Sequence, residues 1–378
     1  LKMYPLEATM QGDSRYNDVL TNNISSEFIS KEIAYYNETQ KKLQTLDYDA
    51  LSDEQKTVYD VLDYTLKDKI ERYAYHPELM PFSQFEGLPL DFPLLGSAEG
   101  NQPFKTTKDY DNWLKRIDAF VIWMNTAEKN FREGMKQNVV LPKKLVVKMI
   151  PQMHSEEIIT EDFDKNIFYG PIKKMPKNFS AKDKEKYKIL YQEAISSKII
   201  PAYQKMGDFL EKEYLPKARN TDGINALPNG KNIYEYYAKS WTTTNKTPEE
   251  INKIGLQQVA MLRAEMEKVK TQLGFKGSLE QFLTSLKTDK KAMPYKTPEE
   301  VIAAFNGILK KIEPKLPSMF SKFPKTPFEI RRTEKFREAS ASAEYKQGTP
   351  DGKRPGIFYT PIPDATKYNV TNGFESLF

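Results

Sequence analysis

A chain of 378 residues with no cysteine and only two histidines can bury a sizeable core without staples. It lacks the ligands for thiolate zinc centres, iron–sulfur clusters, cysteine nucleophiles or three-histidine metal sites. Lysine and arginine outnumber aspartate and glutamate by 57 to 52, yet residues 1–100 carry 9 basic and 18 acidic side chains against 48 and 34 in the remainder; an acidic head that complements a basic remainder, with no basic run interleaved with aromatics, argues against nucleic acid as a partner. A mean hydropathy of −0.67 and the lack of any 18-residue apolar run leave no transmembrane segment.

From the N-terminus, the first strong helix signal is Ser52 with Gln55 at the capping-box position, followed by Val58, Val61, Leu62, Leu66 and Ile70 at helical spacing. Residues 77–105 hold Pro77, Pro81, Pro89, Pro93 and Pro103, too dense for a helix. They read as a long loop strapped across the core between two helices. After Thr107 a long core-facing helix keeps Tyr110, Trp113, Leu114, Ile117, Phe120, Val121, Met124, Phe131 and Met135 on one face, with Lys115, Arg116, Lys129 and Glu133 on the other.

Two further starts share one signature, Thr247-Pro248-Glu249-Glu250 and Thr297-Pro298-Glu299-Glu300, each an N-cap threonine, a proline at N1 and a glutamate able to reach back to the cap. The first opens a long stripe through Ile251, Gly255, Val259, Leu262, Met266, Val269 and Leu273 that stops at Gly274; the second meets Pro314 and Pro317 early. Ser278 with Gln281 caps a short helix between them. Beyond these, Ala343–Gln347 and Ile357–Thr360 flank a segment rich in turn residues and read as a β-hairpin that needs a partner. The chain is therefore mainly α: long antiparallel helices in two lobes, 1–155 and 156–335, with a small C-terminal β-hairpin in 336–378.

Few residues offer chemistry. There is no glycine-rich phosphate loop, no G-x-S-x-G elbow and no H-E-x-x-H helix. His76 precedes a proline, His154 closes a short apolar helix, and both read as structural. Glu156, Glu157, Glu161, Asp162 and Asp164 cluster closely enough in sequence to suggest a pair of glycosidase carboxyl groups, but a charged run between helices is ordinarily solvated surface.

Several landmarks resemble a bacterial family known as domain of unknown function 885. They are Tyr214–Arg219 with Leu227–Gly230, the Thr242–Thr244 run, Gly274–Ser278, Asp351–Gly356 with Phe358-Tyr359, and Phe374–Phe378; Pro5–Thr9, Gly12-Asp13 and the helix from Tyr110 to Arg116 match more loosely. The resemblance implies the N-terminal portion of a zinc metallopeptidase of the helical gluzincin type. In that family the segment similar to Glu375–Phe378 runs into a helix bearing a His-Glu-x-x-x-Gly-His-His motif, which residues 1–378 do not contain. It follows from the resemblance that this chain holds no catalytic or metal-ligating residue and no cofactor of its own, that zinc belongs to the full-length protein, and that the isolated chain is inactive. A peptide substrate is implied, bound by strand addition beside the zinc helix, and Tyr345, Arg354 and Tyr359 are the candidate contacts: arginine can pair with a peptide carboxylate, and a tyrosine hydroxyl can polarise a carbonyl. The family also implies a periplasmic or cell-envelope location, with a lipid anchor upstream of Leu1. The competing reading is a non-catalytic helical envelope lipoprotein that binds peptide or glycan.

Overall fold

The computed structural model describes residues 1–324, 326–333, 338, 341–349, 352 and 354–370. It is mainly α-helical and divides into two compact units, Leu1–Glu250 and Ile251–Phe378. The periodicity reading places a boundary at 155 instead; in the structure, helices on both sides of that residue bury their apolar faces in one core.

The N-terminal unit contains α1 (Pro5–Met10), α2 (Ser26–Leu43), α3 (Asp53–Arg72), α4 (Leu88–Gly96), α5 (Thr107–Lys136), α6 (Lys143–Met153), α7 (Glu156–Ile159), α8 (Gly170–Lys173), α9 (Ala181–Ala194), α10 (Ile200–Phe209) and α11 (Gly230–Thr242). Helix α5 is its axis. Thr106 and Asp109 close a capping box at its start, and Tyr110, Trp113, Ile117, Phe120, Met124 and Phe131 bury against neighbours as the apolar stripe requires. Helices α2 and α3 form a hairpin around Tyr36, Leu43 and Leu66. Of the α3 stripe only Leu66 is fully buried, whereas Val58 and Val61 are exposed.

Two expectations about this unit need correction. The proline-rich stretch is not helix-free, since Leu88–Gly96 is a helix with Pro89 in its first turn and Pro93 inside it. Pro93 has no N–H to give to the Pro89 carbonyl four residues back. That carbonyl instead accepts the hydroxyl of the fully buried Tyr203 on α10 at 2.8 Å. A tertiary hydrogen bond thus replaces the one that proline removes, and Phe92 can stack on Phe120 with ring centroids 4.0 Å apart.

Arg116 is the second correction, because it is not on the solvent face of α5 but fully buried. Its guanidinium donates to the Val19 carbonyl at 3.0 Å, the Tyr16 carbonyl at 3.1 Å and Thr9 Oγ1 at 2.7 Å, and also to Gln102 Oε1. Burial pushes its pKa down to about 10, against a small opposing pull from Asp18.

The C-terminal unit holds α12 (Pro248–Gln272, whose first residues lie in the preceding unit), α13 (Leu279–Thr288), α14 (Pro298–Ile312), α15 (Leu316–Met319) and the strands β1 (Phe328–Arg332), β2 (Glu344–Lys346) and β3 (Gly356–Thr360). Both Thr-Pro-Glu-Glu caps form as expected, with Thr247 and Glu250 exchanging hydrogen bonds at 2.8 and 3.2 Å and Thr297 with Glu300 closing a capping box on α14. Gly274 ends α12 in the left-handed region at φ 72°. Val259, Leu262 and Val269 of the α12 stripe are exposed.

The hairpin partner is a third strand missed in the sequence, Phe328–Arg332. The sheet order is β1-β3-β2, with β1 parallel and β2 antiparallel to the central β3. Helix α14 packs Val301, Phe305 and Ile308 against Ile330 and Phe358, with Phe305 edge-on to Phe358 at 5.6 Å. Buried Glu338 takes both Arg332 nitrogens at 2.7 Å and the Ile362 N–H at 2.7 Å, which clamps the far ends of β1 and β3.

Arg116→Leu is expected to lower the stability of the chain by about 3 kcal/mol, because several buried acceptors lose their only charged donor; urea unfolding followed by circular dichroism measures it. A Cβ on Gly96 would fall 2.5 Å from the Trp113 ring and 2.6 Å from the Phe168 ring, whereas one on Gly255 of α12 meets nothing within 4 Å. Gly96→Ala is therefore expected to cost about 2 kcal/mol, and Gly255→Ala to gain about 0.5–1 kcal/mol from helix propensity; the signs should be opposite in the same assay.

Candidate functional site

In the C-terminal unit, the strand register separates the three residues singled out in the sequence. Tyr345 pairs with Phe358 and so lies on the sheet face that packs against α14, whereas Tyr359 pairs with Glu344 and Arg331 and lies on the opposite face. Tyr345 is 57% exposed and lies beside Phe328 with ring centroids 6.2 Å apart. Both rings cover Gly356, where an added Cβ would sit 2.2 Å from the Tyr345 hydroxyl. Arg354 belongs to the connection between β2 and β3, and its backbone N–H donates to Thr349 Oγ1 at 3.0 Å while its guanidinium reaches the Gln347 carbonyl at 3.5 Å. Tyr345 thus lies within β2 and Arg354 in the connection that follows it, while Tyr359 is on the other face of the sheet. Of the terminal landmarks, Asp351, Lys353 and Phe374–Phe378 lie outside the described residues.

Neither histidine completes a catalytic arrangement. His76 sits in the left-handed region at φ 50° and pairs with Glu78 at 2.9 Å. His154 packs over Gly207, where an added Cβ would lie 2.4 Å from Nε2, and shares a 4.8 Å neighbourhood with Asp208 and Glu211. Asp208 is already paired with Lys212 at 2.9 Å. One imidazole with two exposed carboxylates does not reproduce the ligand set of the metallopeptidase motif. Glu156, Glu157, Glu161, Asp162 and Asp164 are all exposed, and Asp162 is held below its ordinary range by Lys165, which is the behaviour of solvated surface.

A cavity of about 580 Å³ opens in the N-terminal unit between α1, α2, the end of α3 and the segment before α4. At its wall is Glu32 of α2, only 4% exposed. Its carboxylate accepts the Tyr36 hydroxyl at 2.9 Å and, more closely, the hydroxyls of Tyr4 and Tyr73. Burial first, then the hydrogen bond to Glu32, raises the Tyr36 and Tyr73 phenols well above their usual pKa, so they stay protonated and donate. Phe28, Phe82 and Trp123 add aromatic walls. No sequence motif marks this group, because its members come from well-separated segments of the chain. Helical spacing of Glu32 and Tyr36, four residues apart on α2, is the one local trace.

The family model for "Bacterial protein of unknown function (DUF885)" matches residues 5–377. The chain belongs to this family. No curated protein matches the DUF885 chain significantly. Among solved structures, a chain from Colwellia psychrerythraea, called a putative lipoprotein, superposes with a TM-score of 0.86 at 19% identity; the match covers 100% of the DUF885 chain here and 67% of that chain. At that identity the likeness establishes the shared fold.

The raised phenol pKa values set a stability profile. The unfolded chain releases these protons near the ordinary tyrosine value of 10, before the folded chain does. The stability contributed by Tyr36 and Tyr73 is therefore full below about pH 10 and is lost as the pH climbs toward the folded values. Tyr36→Phe is expected to flatten this alkaline decline, as read from unfolding midpoints measured across that range.

Proposed function

We propose that this chain is the substrate-holding portion of a zinc-dependent peptidase-like hydrolase of the cell envelope, whose catalytic motif lies outside residues 1–378. The observation that carries this reading is the outer position of β2 in the C-terminal sheet among the described residues. β2 is an edge strand, with the exposed ring of Tyr345 and the guanidinium of Arg354 beside it. An extended peptide can add to such an edge through its main chain, while those two side chains select its residues and its carboxylate end. Tyr359, on the other face of β3, contributes through the packing of the sheet around Arg331. The Colwellia chain, of which this chain covers 67%, is the longer of the two.

A second reading shares the binding but not the reaction, namely an envelope lipoprotein that captures peptide or glycan without turnover. The description of the Colwellia chain as a putative lipoprotein favours it. No helix among the described residues is long and apolar enough to cross a membrane.

Two measurements separate these outcomes. Calorimetric titration of unstructured peptides into the 378-residue chain is expected to show binding that Arg354→Ala weakens by about tenfold, the scale of one charge-assisted hydrogen bond. Backbone N-methylation of the peptide should abolish it; unchanged affinity in both cases would remove the strand-addition reading. Zinc content and peptide hydrolysis of a chain extended beyond Phe378 then distinguish hydrolase from binding protein, with about one zinc per chain and turnover expected for the first.

A further inference from the structure

The cavity in the N-terminal unit plays no part in the sheet-edge reading and stands on separate observations. Glu32 is a buried carboxylate with no lysine or arginine within ion-pair distance among the described residues; only phenol hydroxyls meet it. A buried charge without a counter-ion is costly, and neutral donors offset only part of that cost. Glu78 also lines the cavity, and its Oε2 is buried with no hydrogen-bond partner. The lining as a whole carries five carboxylates, with Glu7, Glu86 and Asp91 beside Glu32 and Glu78, against two cations, Lys69 and Arg72. Local charge in the cavity thus follows the acidic bias of residues 1–100.

We infer that this cavity binds an organic ammonium ion, a protonated amine carried on an aromatic or alkyl body, with Glu32 as its counter-charge. Three features define the ligand. The volume of about 580 Å³ suits a small molecule or a single side chain. Phe28, Phe82 and Trp123 supply apolar and cation–π surface for its body. The Glu32 carboxylate and the unpartnered Glu78 Oε2, both on the cavity lining, offer acceptors for the N–H donors of its head. Tyr36 and Tyr73 hold the Glu32 carboxylate in place rather than competing as counter-ions, since they remain neutral donors.

The same chemistry is offered by a free amine and by the amino terminus of a peptide. The test therefore begins with small probes of matched size, 2-phenylethylammonium, 2-phenylethanol and phenylacetate, titrated into the 378-residue chain and followed by tryptophan fluorescence and calorimetry. The ammonium ion is expected to bind at least tenfold more tightly than the alcohol, with the carboxylate weakest. Glu32→Gln should bring amine and alcohol to equal affinity, while Tyr73→Phe, which keeps the carboxylate, should preserve the preference. The second variant and the probe comparison in the native chain decide the matter even if Glu32→Gln fails to fold. Equal affinity for amine and alcohol, absence of ammonium binding at millimolar concentration, or an amine preference that survives in folded Glu32→Gln would each overturn the inference. Competition by a peptide with a free amino terminus, lost on acetylation, would support a peptide as the source; its absence alongside ammonium binding would support a free amine. Loss of peptide binding at the β2 edge leaves this result untouched, so the two readings fail separately.

Discussion

The N-terminal unit depends on a single buried cation. Among the described residues Arg116 has no carboxylate in ion-pair contact; its charge is dispersed over carbonyl and hydroxyl oxygens drawn from Thr9, Tyr16, Val19 and Gln102. Desolvating a guanidinium is tolerable only when its donors are almost all used. The segment before α2 and the loop before α5 must therefore fold onto α5 to satisfy it. That requirement fixes where α1 lies, and with it Tyr4, whose hydroxyl reaches Glu32. The cavity wall is thus set by a residue that does not line the cavity.

Local signals carried much of the fold. The caps at Ser52, Ser278 and Thr297 are where side-chain and backbone chemistry requires them, and the α5 stripe is the one that buries. What could not be read was anything settled by a distant partner. Proline density forbade a helix at 88–96 until Tyr203 supplied the missing donor. Arginine beside lysine on a helix looked solvated until the N-terminal segment wrapped it. Phe328–Arg332 has the alternation of a strand, but only its parallel pairing with β3, across a long separation in sequence, makes it one.

The candidate sites divide along the same line. Tyr345, Arg354 and Tyr359 were singled out by the resemblance and their place around the hairpin, and the register puts Tyr359 on the face away from Tyr345. A period of two makes that separation unavoidable once the strand forms. Glu32 with its three phenols was not recognisable, since a carboxylate in a polar-looking helix reads as solvent-facing until tertiary packing closes over it. Family membership supplied the frame for the whole chain, while the two proposed ligand sites rest on the geometry of the residues themselves.

The rod from Ala181 to Tyr214 is continuous but not uniform in pitch, because Ile195–Ile199 and Leu210–Tyr214 are wide π turns on either side of α10. Tyr191, Ile195, Ile199 and Tyr203 are buried at strict four-residue intervals. In an ideal α-helix each such step overshoots a full turn by about 40°, so the fourth side chain would have rotated off the face of the first. A wide turn holds more residues per revolution and winds the stripe back. The π segment at Ile195–Ile199 acts as a phase correction, keeping Tyr191, Ile195, Ile199 and Tyr203 on one buried face and so delivering the Tyr203 hydroxyl to the carbonyl that Pro93 leaves open.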